Sequence, residues 1–237
     1  MSAHEDVGPT ALTALFVTAL ATAQLTATKI LAFGLPFSLP VTGDVLVLPG
    51  AALAYALTFF ASDCYAELYG RRAAQVLVNV GFVMNFVLLA LVWSTILAPA
   101  ASASVDPGQF RTVLAAGTNV VAGSLLAYLL SQNLDVVTFH WLRDRTGGAH
   151  LWLRNVGSTA TSQLVDTVVF VGVAFFLAPR LLGFGAALPG AVIAQLVVGQ
   201  YLLKLAIAVG DTPFVYLLTR YLRETEFVGP PSAAAER

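Results

Sequence analysis

The chain has 237 residues, 58% hydrophobic and 11% charged, with a formal net charge of −1. Soluble domains carry roughly 25% charge, so this composition excludes an ordinary soluble fold and points to an integral membrane protein. Near-neutral charge excludes the basic face of a nucleic-acid binder, and a single cysteine, Cys64, excludes an intrachain disulfide.

In chain order, the N-terminal MSAHEDVGPT carries Glu5 and Asp6 but no Lys or Arg, so it lacks the basic region of a secretory signal peptide and the first apolar run is expected to stay as a helix. Apolar runs of bilayer length and the breakers between them predict six spans, near about 10–31, 46–63, 73–98, 111–139, 156–180 and 188–210. The breakers are Pro36 and Pro40, Arg71-Arg72, Asp106-Pro107-Gly108, Gly147-Gly148 and Gly183 to Pro189. Asp211-Thr212-Pro213 ends or kinks the sixth, and Phe214 to Arg223 either continues it or lies at the interface. The expectation is an all-α integral membrane protein, a six-helix bundle forming one domain over residues 1–223. Residues 224–237, with Pro230-Pro231 and little to bury, read as a disordered cytoplasmic tail.

Lys and Arg concentrate in cytoplasmic loops. Arg71, Arg72, Arg143, Arg145, Arg154, Arg220, Arg223 and Arg237 fall on one side of the predicted membrane, against Lys29, Arg111 and Arg180 on the other, so both termini are expected in the cytoplasm. The fourth span then runs inward and the fifth outward. Each carries the same polar pattern: SQNLDVVTF at Ser131 to Phe139 and SQLVDTVVF at Ser162 to Phe170. At 1.5 Å per residue Asp135 lies about 6–8 Å, and Asp166 about 15 Å, from the cytoplasmic ends of their predicted helices. The two copies are expected to face each other, antiparallel, in the inner half of the membrane.

Helical spacing gathers the other polar residues onto single faces: Ser124, Tyr128, Gln132 and Asp135 on the fourth span, Asn155, Thr159, Ser162 and Asp166 on the fifth, and Gln200, Lys204 and Asp211 on the sixth. Gln75 and Asn79, and Asp63 and Glu67, are further pairs one turn apart. Ser, Asn and Gln in membrane helices most often hold helices together, and Lys204 is equally well read as an ion-pair partner of Asp166 or Asp135. Carboxylates in spans are rare and usually mark a pathway or ligand site. Asp166, Gln163, Gln132, Asp135, Lys204, Asn79, Glu67 and Asn133 are therefore the candidate substrate-binding residues. Asp63, Arg154 and Arg143 are candidates for gating or ion pairing. Asp166, the deeper carboxylate, is expected to take the substrate's donor edge or Lys204, and Asp135, nearer water, to act in gating.

At SDCYAELYGRRAA, Ser62 to Ala74, the sequence resembles the queuosine precursor transporter family, also called the vitamin uptake transporter family. LPGAALAYALTFFASDCYAELYGRR, SQNLDVVTFHWLR, WLRNVGSTATSQLVDTVVF and YLLKLAIAVGDTPFVYLL look like that family's successive blocks, and the likeness runs from about Leu46 to Leu222. It implies an importer of 7-deazaguanine precursors of modified tRNA bases, such as 7-cyano-7-deazaguanine or 7-aminomethyl-7-deazaguanine. A guanine-like ring presents an N–H and an NH2 side by side, which one carboxylate accepts in two parallel hydrogen bonds, while the ring carbonyl needs a donor such as Gln, Asn or Lys. Tyr65, Phe139, Trp141, Trp152 and Phe170 are at hand to stack on it, although such aromatics more often anchor a protein at the interface.

No GxxxxGK[ST] exists and the only lysines are Lys29 and Lys204, so ATP enters only through an energy-coupling partner. The alternative reading is the substrate-binding subunit of a multi-protein vitamin or purine-like transporter. An intramembrane aspartyl protease is disfavoured, because neither Asp135 nor Asp166 has a GxGD context and Ala208-Val209-Gly210-Asp211 lacks its first Gly. His4, His140 and His150 lie outside the spans without clustered ligands. The sequence thus reads as a non-enzymatic, multi-pass plasma-membrane protein with no cofactor and no metal. Its expected partners are a heterocyclic substrate and the lipid bilayer, with a homodimer left open.

Overall fold

The computed structural model describes residues 7–147 and 151–224, the side chains of 151–155 excepted. Helix α1, Val7–Thr26, leads into a hairpin of β1, Ile30–Leu39, and β2, Gly43–Pro49. Then follow α2 (Ala52–Tyr69), α3 (Arg71–Leu97), α4 (Pro107–Ala115), α5 (Gly117–Arg145) and α6 (Leu151–Gly172). A π turn, Val173–Leu177, joins α6 to α7 (Ala178–Leu182), and α8 (Gly190–Gly210) and α9 (Thr212–Glu224) complete the order. The protein is mostly helical. Among the described residues five stretches are long and apolar enough to cross a membrane: 7–26, 71–97, 107–145, 156–182 and 190–210.

Two expectations change. The run Val45-Leu46-Val47-Leu48 begins no helix; it is strand, paired antiparallel with Ala32 opposite Val47 and Leu31 opposite Leu48. Short apolar runs carry no periodicity that separates strand from buried helix, and Pro49 and Gly50 divide this one from α2. The predicted second span, 46–63, is thus the end of β2 followed by α2, which with Asp63, Glu67, Tyr55, Tyr65 and Tyr69 is not among the five apolar stretches. The predicted tail lies outside the described residues, Glu224 excepted.

The chain divides into two compact units. The first holds the residues up to Lys29, Gly50–Thr95 and those from Leu203 onward. Its core is α1 against α2 and α9: Leu12, Cys64 and Leu68 are buried, with Val215, Leu218 and Leu222 packed on them, and Phe16, Ala61 and Leu77 form a second cluster. Gly50 allows the close approach of α1's end, because a Cβ there would overlap the Thr26 carbonyl oxygen.

The second unit holds Ile30–Pro49 and Ile96–Leu202. Asp106 caps α4 by accepting from the Gln109 N–H at 2.7 Å, with Pro107 opening the helix. The π turn follows from Pro179, which has no N–H to give the Phe175 carbonyl four residues back. Leu188 N–H takes that carbonyl instead, at 2.8 Å, and Ala178 N–H reaches back to Val173. Gly183, at φ 73°, ends α7 in the left-handed conformation that glycine adopts without strain.

Candidate functional site

The site begins with small residues on α5. Gly123, Ala127 and Ser131 recur at one-turn spacing and are buried, forming a smooth stripe that lets a second helix come close. A Cβ on Gly123 would lie 2.9 Å from the Ala174 Cβ and 3.1 Å from the Phe170 carbonyl oxygen. Phe170 and Ala174 thus face the stripe at Gly123, and Val171 and Thr167 on the same stretch are fully buried.

Where α5 and α6 pass each other, the two Ser-Gln-x-x-Asp copies bond reciprocally. Ser131 donates to Asp166 Oδ1 at 3.3 Å, and Ser162 donates to Asp135 Oδ1 at 3.2 Å. Each hydroxyl also reaches a carbonyl three residues back on its own helix, Tyr128 at 3.3 Å and Thr159 at 3.1 Å, so its one proton is shared between carboxylate and backbone. The antiparallel pairing sets Ser131 level with Asp166 and Asp135 level with Ser162, so the carboxylates stand one turn apart, about 6 Å in depth.

The two helices are longer at their facing ends than predicted. Helix α5 continues to Arg145 and α6 starts at Leu151, so Ser131 and Asp166 lie near the midpoints of their continuous helices. The charge at the end of α5 does not stop the helix, because Arg143 and Arg145 in its last turn face the negative end of the helix dipole.

Each carboxylate oxygen that takes a serine proton loses a donor if the hydroxyl is removed. Ser131→Ala and Ser162→Ala are each expected to lower stability by about 1–3 kcal/mol, measured as thermal unfolding in detergent. Unchanged melting in both would show that the cross-bonds contribute nothing.

Of the other candidates in this unit, Gln132 and Asn133 are exposed, and Asn133 turns back to donate to Leu129 O at 2.6 Å. Gln163 is half-buried, with its Oε1 fully buried and without a hydrogen-bond partner. Arg143 is exposed at the end of α5. The side chains of Arg154 and Trp152 lie outside the described residues.

The remaining candidates belong to the first unit. Asp63 faces a second carboxyl, Asp211, within hydrogen-bond reach. Glu67 pairs with Arg223 at 3.2 Å, and Arg223 also donates to the Glu67 carbonyl at 3.0 Å. Asn79 accepts from Gln75 at 3.1 Å, and Lys204 is buried. A shallow groove along α1, lined by Pro9, Thr10, Thr13, Ala14 and Val17, holds no charged group. Among the described residues no group of three His, Cys, Asp or Glu is arranged to hold a metal.

Gln200 was on the predicted polar stripe but not among the candidates. It is 8% exposed, its Oε1 has no partner, and the neighbouring Tyr201 hydroxyl donates to Ala160 O on α6 at 3.3 Å. Its signal in the sequence was the one-turn step to Lys204.

Comparison with known proteins places the chain in a family of transporters. The family described as "Putative vitamin uptake transporter" matches residues 49–218. A protein of Bacillus subtilis (strain 168) called "Probable queuosine precursor transporter" is 33% identical over 177 residues, covering 73% of this chain and 72% of that one. No solved structure matches. The matched region takes in α2 through most of α9, including both Ser-Gln-x-x-Asp copies, and the apolar helices make this a multi-pass protein of the plasma membrane. The chain belongs to the vitamin uptake transporter family.

Proposed function

We propose that the protein imports a 7-deazaguanine precursor of modified tRNA bases, and that the ring binds where α5 and α6 cross. The observation that carries this reading is the reciprocal Ser–Asp bonding, which holds two carboxylates one turn apart at mid-helix. A carboxylate in a membrane span is costly without partners. A carboxylate accepts several hydrogen bonds, and a guanine-like ring brings adjacent N–H and NH2 donors that match its two oxygens. The 33% identical relative, named for queuosine precursor transport, points to the same class of cargo.

In this reading Asp166 takes the paired donors and the Gln163 or Gln132 amide N–H meets the ring carbonyl. Asp135, one turn nearer the end of α5, gates: parting of α5 from α6 breaks both cross-bonds together and hydrates Asp135, with Arg143 or Arg154 available to it. The arginine-rich segments Arg71-Arg72 and Arg143 to Arg154 and both termini face the cytoplasm, by the charge asymmetry of the loops. The protein does no covalent chemistry on its cargo.

The test is uptake of radiolabelled 7-cyano-7-deazaguanine or 7-aminomethyl-7-deazaguanine by liposomes holding only the purified chain. Saturable uptake, competed by the unlabelled base and not by adenine, is expected. Tight binding without uptake would instead make the chain the binding subunit of a partner-driven transporter.

A further inference from the structure

Gln200 sits on the buried face of α8 with Leu196 and Gly199, and its carboxamide oxygen has no hydrogen-bond partner. Buried acceptors are nearly always satisfied, so one left open asks for a donor that arrives from elsewhere. Gln163 on α6 presents a second open, buried Oε1. The two are close in depth. Tyr201 touches Ala160, Gln200 precedes Tyr201 by one residue, and Gln163 follows Ala160 by three. Consecutive spans run in opposite directions, so both offsets point the same way and the two residues differ in depth by only about 3 Å.

The residue before Gln200 is where the hairpin meets α8. Gly199 lets the hairpin close against α8, since a Cβ there would overlap the Val47 carbonyl oxygen and lie 3.1 Å from its carbon. Val47 and Leu48 are buried at this contact.

On the reading proposed above, Asp166 takes the ring's N–H and NH2 pair and an amide N–H takes its carbonyl. A free 7-deazaguanine base has one further ring donor, the pyrrole N–H at position 9. In a nucleoside that nitrogen carries the sugar and donates nothing. We infer that Gln200 accepts the position-9 N–H of the substrate, and so is the residue that selects a free base over its nucleoside or any N9-substituted form. Gln200 is a binding and specificity residue here; no bond is made or broken. The inference rests on the proposed function, but it adds a residue and a discrimination that the carboxylates do not provide.

The experiment measures affinity, from ligand-dependent thermal stabilisation of the purified full chain, for 7-cyano-7-deazaguanine and for its N9-methyl analogue. Wild-type protein is expected to prefer the free base by tenfold or more, because the methyl leaves the buried oxygen unpaired and crowds it. Gln200→Met keeps the length and removes the acceptor; it is expected to weaken free-base binding about tenfold and bring the preference close to unity. Gln200→Glu still presents an oxygen and is expected to retain the preference. Gln200→Ala gives the same reading should the methionine fail to pack. An unchanged preference in Gln200→Met, or equal wild-type binding of the two compounds, overturns the role of Gln200 and leaves the proposed function standing. No wild-type binding of either overturns both.

Discussion

Asp166→Asn should abolish ligand-dependent stabilisation of the purified protein while leaving it folded and inserted. The carboxylate of Asp166 has one oxygen turned to Ser131, and an asparagine of the same shape still offers one carbonyl oxygen to that hydroxyl, so the α5–α6 contact survives. What changes is the other atom: an acceptor becomes an NH2 donor, which in the proposed site faces the N–H and NH2 of the ring. Two charge-assisted bonds of about 1.5–3 kcal/mol each are lost, and a donor is set against a donor. Affinity is expected to fall by roughly a hundredfold or more. Asp135→Asn, with the same change in chemistry one turn away, is expected to slow liposome uptake more than it weakens equilibrium binding. Ligand affinity and uptake measured on both variants separate the roles: wild-type affinity in Asp166→Asn would remove it from the site, and identical losses in both variants would make the two copies one site without a division of labour.

Gly199→Ala should be among the most disruptive single-methyl additions in the second unit. The atoms its Cβ would meet are backbone, the carbonyl oxygen of Val47 and the carbon behind it at 3.1 Å, together with Leu48 Cδ2 at 3.4 Å. A flexible side chain would swing aside, but this strand is held by its ladder, with Val47 paired to Ala32 and Leu48 to Leu31. Either β2 or α8 has to move. Overpacking of this kind costs about 1–3 kcal/mol, and movement of α8 at Gly199 would also shift Gln200, the next residue. The measurable result is a lower melting temperature in detergent together with loss of discrimination against the N9-methyl compound. Unchanged melting would mean that the hairpin does not rest on α8 at Gly199.

Local pattern and bilayer length in the sequence were enough to determine a membrane protein of mostly helical build, because a hydrocarbon solvent demands long apolar helices and little else satisfies the backbone there. They also led to the expectation that the two Ser-Gln-x-x-Asp copies face each other across an antiparallel pair, whereas the bonding of each serine to the other copy's aspartate came from the structure. Two consecutive spans with the same four-residue step come into register when the serine of one pairs with the aspartate of the other, and α5 and α6 do so. The tertiary structure alone decided which groups the remaining polar residues meet. Glu67 goes to Arg223, 156 residues away in sequence, and Asp63 goes to a second carboxyl, Asp211. Such pairs depend on how α2 lies against α9, which no periodicity encodes. Val45 to Leu48 became a strand, not the head of a span, because its partner was β1, and a pairing partner is a property of the fold. Gln200 looked like one more polar step on a stripe. Its buried, unpartnered oxygen lies between two contacts that only the fold makes, the hairpin against Gly199 and Tyr201 against Ala160. Burial is set by what packs on top, and that is decided in three dimensions.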